Sequence, residues 1–163
     1  MKTLAQEIIN LLREKHLTLA VVESATGGLI SNLITNVHGA SDVYLGSITS
    51  YSNDVKIKVV GVKAETIKKY GAVSAQVARQ MAAGGRKILG ADICVADTGI
   101  AGPTGATPNK PVGLFYIGLS HAGGTFSRKH LFKGTREENK MSAALAALGW
   151  VREWVDKVNV DKC

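Results

Sequence analysis

The sequence predicts a single α/β domain, built as a three-layer α/β/α sandwich around a mixed sheet. Buried apolar strands alternate with amphipathic helices along the chain, and a β-hairpin follows near the end. Alternation of strands and helices favours parallel strands covered on both faces, whereas a hairpin adds antiparallel pairing. A length of 163 residues suits one domain, and no linker or internal repeat divides it. Residues 1–163 are therefore predicted to form one unit.

The first half of the chain predicts a helix followed by two strand-to-helix units. Leucine and isoleucine spacing predicts a helix over residues 3–15, and the run LTLAVVE predicts a buried strand over 17–23. After the corner ESATGG, apolar residues at helical spacing continue to Val37, where a glycine cap ends the helix. The run VYLGSITSY, residues 43–51, predicts the next strand, and the polar triplet SND caps a helix that contains Lys56.

The second half predicts two more helices, a buried strand, a long loop, a hairpin and a final helix. AETIKKY and SAQVARQMAAGGRKILG have helical patterns, and ADICVADTG, residues 91–99, predicts a buried strand. A glycine- and proline-rich loop over 98–113 is too long for a simple connector. Two strands around AGG at 122–124 predict the hairpin. The final helix is predicted from Arg136 to about Val158, with one apolar face formed by Met141, Leu145, Leu148, Val151, Val155 and Val158.

Composition limits the classes of partner. The formal net charge is +7, but lysines and arginines are scattered in pairs and aromatic residues make up only 6%. This argues against an aromatic nucleic-acid platform, whereas an anionic surface and a phosphorylated metabolite stay open as partners, and most of the charge is expected on solvated helix surfaces. Two cysteines indicate no disulfide framework, so we expect a cytoplasmic protein. No window approaches the roughly 18 apolar residues that a membrane span needs, so no membrane association is expected.

Three polar segments follow predicted strands and are candidates for a common site. They are Ser24–Gly28, Ser50–Lys56 and Thr98–Lys110. In open α/β sheets, ligands bind outside the carboxyl ends of the strands, so we expect these segments to converge.

Within these segments, Ser24 is a candidate nucleophile, with helix N–H groups near Gly27 and Gly28 as oxyanion donors. None of the four histidines has a nearby acidic partner, so Lys56 is the better base, because burial lowers the pKa of a lysine. Tyr51 could relay or orient the proton. The alternatives are that Ser24 only caps a helix, that Lys56 is a solvated helix residue and that Tyr51 is a half-buried strand aromatic.

The loop TGIAGPTGA could present backbone N–H groups as an anion nest, with Lys110 supplying positive charge. It matches neither a P-loop nor a dinucleotide-binding fingerprint, and a surface Ω-loop is the alternative. The sequence has no CxxC, no HxxxH and no clustered carboxylates. We therefore predict no metal site and no cofactor.

Five segments together resemble one family. ESATGG, SYSNDVK, YGAVS, GIAGPTGATPNKPVG and GTREENK occur in this order over residues 23–140, and they are similar to segments of the CinA C-terminal domain, or nicotinamide-nucleotide amidohydrolase, family. The resemblance implies metal-independent hydrolysis of nicotinamide mononucleotide to nicotinate mononucleotide and ammonia. It assigns the nucleophile to Ser24, the general base to Lys56 and an assisting role to Tyr51.

The resemblance also implies a phosphate-binding surface and a homo-oligomer in a stand-alone form of the domain. The expected substrate-binding residues are Thr26, Gly27, Gly28, Gly99, Ala101, Gly102, Gly105, Lys110, Arg136 and Lys140.

This chain departs from the family pattern at three positions: Ala25 stands where cysteine is usual, Ala106 where glycine is usual and Lys140 where arginine is usual. Lysine cannot reproduce a bidentate arginine contact, so substrate affinity is affected more than reaction type.

Two rival functions remain at this point, a catalytically inactive nucleotide-binding or regulatory module and a nucleic-acid-associated competence or DNA-damage protein.

Overall fold

The computed structural model describes residues 1–159 and contains one five-stranded sheet. The strands are β1 Leu19–Glu23, β2 Tyr44–Thr49, β3 Ile93–Gly99, β4 Leu114–His121 and β5 Gly124–Leu131. In the sheet they lie in the order β2-β1-β3-β4-β5. β1 pairs in parallel with β2 and β3, whereas β4 pairs antiparallel with β3 and β5. The prediction of a mixed sheet is confirmed.

Helices cover both faces of this sheet. They are α1 Leu4–Lys15, α2 Leu29–Thr35, α3 Asn53–Val55, α4 Ala64–Tyr70, α5 Ala75–Leu89 and α6 Arg136–Lys157, with a 3-10 turn at Ala40–Asp42 and a π-helical turn at Lys56–Val60. α1, α2 and α6 form one outer layer, and α5 with α4 forms the other. The three-layer prediction is confirmed. None of the helices in residues 1–159 combines the length and the apolar character needed to cross a membrane.

The central strand β1 shows how the pleat divides the core. Leu19 and Val21 face α1, α2 and α6, whereas Ala20 and Val22 face α5, and all four are fully buried. Burial of each larger aliphatic side chain contributes about 1.5–3 kcal/mol. A strand buried on both faces reads as a continuous apolar run, which is why LTLAVVE is recognisable in the sequence.

The final helix differs from its prediction in which face is buried. Met141 and Leu145 are exposed, and Val158 is the cap residue after the helix. Small residues make the close contacts, and the buried face consists of Ala143, Ala144, Ala147, Leu148, Val151 and Val155, together with Asn139 and Trp150. Of the predicted apolar face, Leu148, Val151 and Val155 are buried within the domain, whereas Met141 and Leu145 lie outside that contact.

A close contact joins α5 to the last residue of the π-helical turn that begins at Lys56. A Cβ added to Gly84 would lie 2.0 Å from the backbone O of Val60, the last residue of that turn. The two backbones can approach this closely only because residue 84 has no side chain.

We predict that Gly84→Ala destabilises the protein by about 1–3 kcal/mol, because the added methyl group overpacks against an immovable carbonyl. Gly149→Ala is the matched control, since Gly149 is also inside a helix but an added Cβ there meets nothing within 4 Å. This control should be stabilised by up to about 1 kcal/mol through helix propensity. Urea unfolding measures both, and equal effects would contradict the close-contact interpretation.

Candidate active site

A cleft of about 240 Å³ lies where the three polar segments meet. β1, β2 and β3 run in parallel, so their carboxyl ends share one edge of the sheet. The lining residues are Ser24, Ala25, Tyr51, Asn53, Lys56, Ala72, Val73, Thr98, Gly99, Ile100, Ala101, Gly102, Thr104, Gly105 and Arg136. The structure thus brings together residues of all three segments.

Lys56 lies at the bottom of this cleft with only 2% of its surface exposed. Its Nζ is 2.9 Å from Ser24 Oγ, 2.8 Å from the backbone O of Ser50 and 3.0 Å from the backbone O of Tyr51. A neutral amine satisfies this geometry with two N–H groups donated to the carbonyls and its lone pair accepting the Ser24 hydroxyl. Burial lowers the pKa of Lys56, and the nearby Asp97 partly opposes that shift.

Ser24 does not cap the following helix. α2 begins at Leu29, and its first N–H groups are held by the fully buried carboxylate of Glu23. Glu23 accepts the N–H groups of Gly28 at 2.9 Å, Ile30 at 3.1 Å and Ser31 at 2.8 Å. The Ser24 hydroxyl is therefore left for Lys56, and the capping alternative is wrong.

The predicted oxyanion donors are not available. The N–H of Gly27 donates to the backbone O of Ser24 at 3.1 Å, and that of Gly28 donates to Glu23. The prediction that these two N–H groups serve a substrate is wrong, because the corner and Glu23 already use them. Within residues 1–159, the N–H groups of Ala25, Ala101 and Gly102 make no hydrogen bond, and all three residues line the cleft.

Asp97 is a second buried carboxylate, near the end of β3 and fully enclosed. It accepts the N–H of Ser24 at 3.1 Å and the N–H of Thr26 at 3.2 Å. Burial raises the pKa of Asp97 to about 6, against the opposing effect of these hydrogen bonds. The Thr26 hydroxyl lies between Glu23 and Asp97 and does not reach the cleft, so the predicted contact of Thr26 with substrate is not supported.

Lys110 lies outside the lining of the cleft. Its Nζ donates to the backbone O of Val73 at 2.7 Å and to that of Tyr70. It therefore joins the glycine-rich loop to the segment between α4 and α5, which lines the cleft through Ala72 and Val73. Because these two carbonyls hold the amine, Lys110 maintains the shape of the cleft, and the expected direct contact with an anion is not supported.

Arg136 and Tyr51 lie at the mouth of the cleft. Arg136 Nη1 donates to the backbone O of Gly102 at 2.8 Å, and its Nη2 lies 3.3 Å from the Tyr51 hydroxyl. The expected proton relay through this hydroxyl has no matching contact: Lys56 meets only the backbone O of Tyr51, and Tyr51 as a residue is 62% exposed. Lys140 lies outside the lining, with Nζ 3.8 Å from where a Cβ of Gly27 would be.

Several polar cleft residues lie within the predicted segments but were not named as site residues, and the two buried carboxylates were not predicted. Asn53, Thr98 and Thr104 add polar groups to the lining. The sequence did carry a signal for Glu23 and Asp97, because each is an acidic residue near the end of an otherwise apolar strand. Among the lining residues described, the only charged side chains are those of Lys56 and Arg136. No group of three His, Cys, Asp or Glu side chains in residues 1–159 is arranged to hold a metal ion.

Fold and site together define a three-layer α/β protein with a buried serine–lysine pair beside a glycine-rich loop. The CinA C-terminal domain family matches residues 1–155, and the chain belongs to this family. A "CinA-like protein" of Kosmotoga olearia is 48% identical over 151 residues, which are 93% of this chain and 37% of that protein. A "CinA-like protein" of Thermotoga maritima is 42% identical over 153 residues, 91% of this chain and 36% of that protein. The chain thus spans well under half the length of these relatives.

Solved structures of single-domain size are similar over almost their whole length. The competence/damage inducible protein CihA of Agrobacterium tumefaciens has a TM-score of 0.91 and 35% identity, covering 94% of both chains. The competence damage-inducible protein A of Klebsiella pneumoniae has a TM-score of 0.92 and 28% identity, covering 96% of this chain and 97% of that one. The resemblance predicted from the five sequence segments is confirmed.

We predict that Asp97 makes stability depend on pH between about 4 and 6. An unfolded aspartate has a pKa of about 3.9, so in this range the folded protein keeps a proton that the unfolded chain has lost. Because the folded pKa is raised, this stabilisation is complete below about pH 4 and is lost as pH rises through 6, by up to about 3 kcal/mol.

The measurement is urea unfolding of wild type, Asp97→Asn and Val95→Ala across this pH range. Val95 is a fully buried neighbour on the same strand and carries no charge. The difference between wild type and Asp97→Asn should change with pH, whereas the difference between wild type and Val95→Ala should stay constant. Two constant differences would show that Asp97 titrates normally.

Proposed function

We propose that this protein is a metal-independent serine amidohydrolase that converts nicotinamide mononucleotide to nicotinate mononucleotide and ammonia. The observation that carries the proposal is the buried Lys56 Nζ, 2.9 Å from Ser24 Oγ at the bottom of an open cleft. Burial lowers the pKa of the Lys56 amine and so favours its neutral, basic form, and a serine hydroxyl needs such a base to attack an amide. An inactive binding module would have no need of this costly arrangement.

In the proposed reaction, Ser24 Oγ attacks the carboxamide carbon while neutral Lys56 takes its proton. The N–H groups of Ala25, Ala101 and Gly102 line the cleft and are suited to stabilise the oxyanion. Lys56 then gives the proton to the leaving nitrogen, and the C–N bond breaks to release ammonia. Water, deprotonated by Lys56, attacks the resulting ester and releases the carboxylate and the Ser24 hydroxyl.

The charges at the cleft suit a nucleotide phosphate. Arg136 stands at its mouth, and the net charge of +7 favours the approach of an anion. The backbone O of Gly102 and the Tyr51 hydroxyl already orient the guanidinium of Arg136. Binding a phosphate therefore costs the Arg136 side chain less conformational entropy. Lys140, near Gly27, adds positive charge beside the corner.

The exposed apolar Met141 and Leu145 on α6 support the further expectation that the protein forms a homo-oligomer.

Ser24→Ala and Lys56→Met should each reduce ammonia release from nicotinamide mononucleotide by at least about a thousandfold, because the two residues act as one unit. Lys58→Met is the matched control, since Lys58 is exposed on the same turn and pairs with Asp54. The control and the wild type should keep their rates in a metal chelator. Chelator-sensitive turnover, or full activity of Ser24→Ala, would refute the proposed chemistry.

Arg136→Ala should raise KM for nicotinamide mononucleotide by about tenfold or more, as expected for loss of a hydrogen bond to a charged group. The KM for nicotinamide riboside, which lacks the phosphate, should change much less. Arg152→Ala is the control for lost charge, because Arg152 pairs with Glu7 and lines no part of the cleft. An equal rise for both substrates would show that Arg136 does not recognise phosphate.

A further inference from the structure

Two fully buried carboxylates lie side by side behind the nucleophile corner, and the proposed reaction uses neither. Glu23 ends β1 and Asp97 lies near the end of β3, in strands whose paired register runs to Val22 and Ala96. Burial of two carboxylates is costly unless hydrogen bonds satisfy them. Their hydrogen bonds differ, and this difference separates their roles.

Glu23 serves the helix. Its two oxygens accept the N–H groups of Gly28, Ile30 and Ser31, together with the Ser31 hydroxyl at 2.6 Å. These contacts satisfy the N-terminus of α2, which has no side-chain cap of its own. Glu23 therefore has a structural role in ordering the helix.

Asp97 serves the corner. It accepts the N–H of Ser24 on one oxygen and the N–H of Thr26 on the other. The N–H between them, that of Ala25, makes no hydrogen bond within residues 1–159 and belongs to a residue that lines the cleft. Lys56 is held independently from the side of β2, by the carbonyls of Ser50 and Tyr51.

We propose that Asp97 is a positioning residue of the Ser24–Lys56 pair: by holding the two N–H groups that flank Ala25, it sets Ser24 Oγ against Lys56 Nζ and leaves the Ala25 N–H for the substrate. This inference rests on the proposed function. Asp97 also acts through its charge. The charged groups that face it are Glu23 from β1 and Lys56 from the π-helical turn, and its negative charge raises the pKa of Lys56.

The test compares wild type with Asp97→Asn, which keeps the shape but places an N–H donor against backbone donors. Two readouts are followed as a function of pH, ammonia release from nicotinamide mononucleotide and the rate at which a fluorophosphonate labels Ser24. Both should fall by about tenfold or more, with KM changed by less than about threefold. Since Lys56 must be neutral to act, both rates rise with pH as it loses its proton. Removal of the Asp97 charge should move that rise to lower pH.

Val95→Ala, a neutral and buried change on the same strand, is the control for lost stability and should leave the pH profile in place. A slower Asp97→Asn whose pH profile is unmoved would reduce Asp97 to a structural residue, and an unchanged rate would overturn the inference. If the fluorophosphonate labels Ser24 of the wild type but no ammonia is released, the proposed substrate is contradicted. The rate of labelling then still tests the role of Asp97. If the wild type does neither, both proposals fail.

A wild-type measurement covers the case in which Asp97→Asn does not fold. Amide hydrogen exchange followed by NMR should be markedly slower at Ser24 and Thr26 than at Ala25, because only the first two N–H groups are held by Asp97. Equal exchange at the three positions would overturn the inference.

Discussion

The burial of the Lys56 amine is the constraint on which the rest of this structure depends. An ammonium group loses its hydration when enclosed, so the site must either pair it or let it become neutral. The three oxygen atoms that meet Nζ come from the corner after β1 and from the two residues that follow β2. Parallel pairing of these strands puts both ends at one edge of the sheet, and the π-helical turn starts at Lys56. Local π-helical geometry is common at functional sites.

Stability alone does not explain three buried ionisable groups in one place. Glu23, Lys56 and Asp97 are almost completely enclosed, and well-packed apolar residues of similar volume are often at least as stable as buried ions. Their hydrogen bonds instead specify where donors and acceptors point. Glu23 accepts N–H groups of α2, Asp97 accepts those of Ser24 and Thr26, and Ser24 and Ala25 line the cleft. Perturbed ionisable groups arranged in this way are typical of sites that do chemistry.

Local patterns in the sequence were sufficient to predict the fold and to single out Ser24 and Lys56 as candidates for one site. An apolar run ending in a polar corner marks a buried strand, which placed Ser24, and the polar end of the next strand placed Lys56. The errors concern N–H groups and an amine whose hydrogen-bond acceptors residue type and spacing do not identify. Gly27 and Gly28 have their N–H groups used within the corner region, and Lys110 reaches carbonyls 37 and 40 residues away. Such pairings depend on where the folded chain puts each acceptor, which residue type and spacing do not encode.

The most direct test of this account is an NMR titration of the lysine side chains in the wild-type protein, with Lys56 assigned by comparison with Lys56→Met. The account predicts that the Lys56 amine loses its proton at a lower pH than the exposed lysines, so that it is a usable base beside Ser24. If Lys56 titrates together with the exposed lysines, the amine stays charged at the bottom of the cleft, and its role as the base is contradicted.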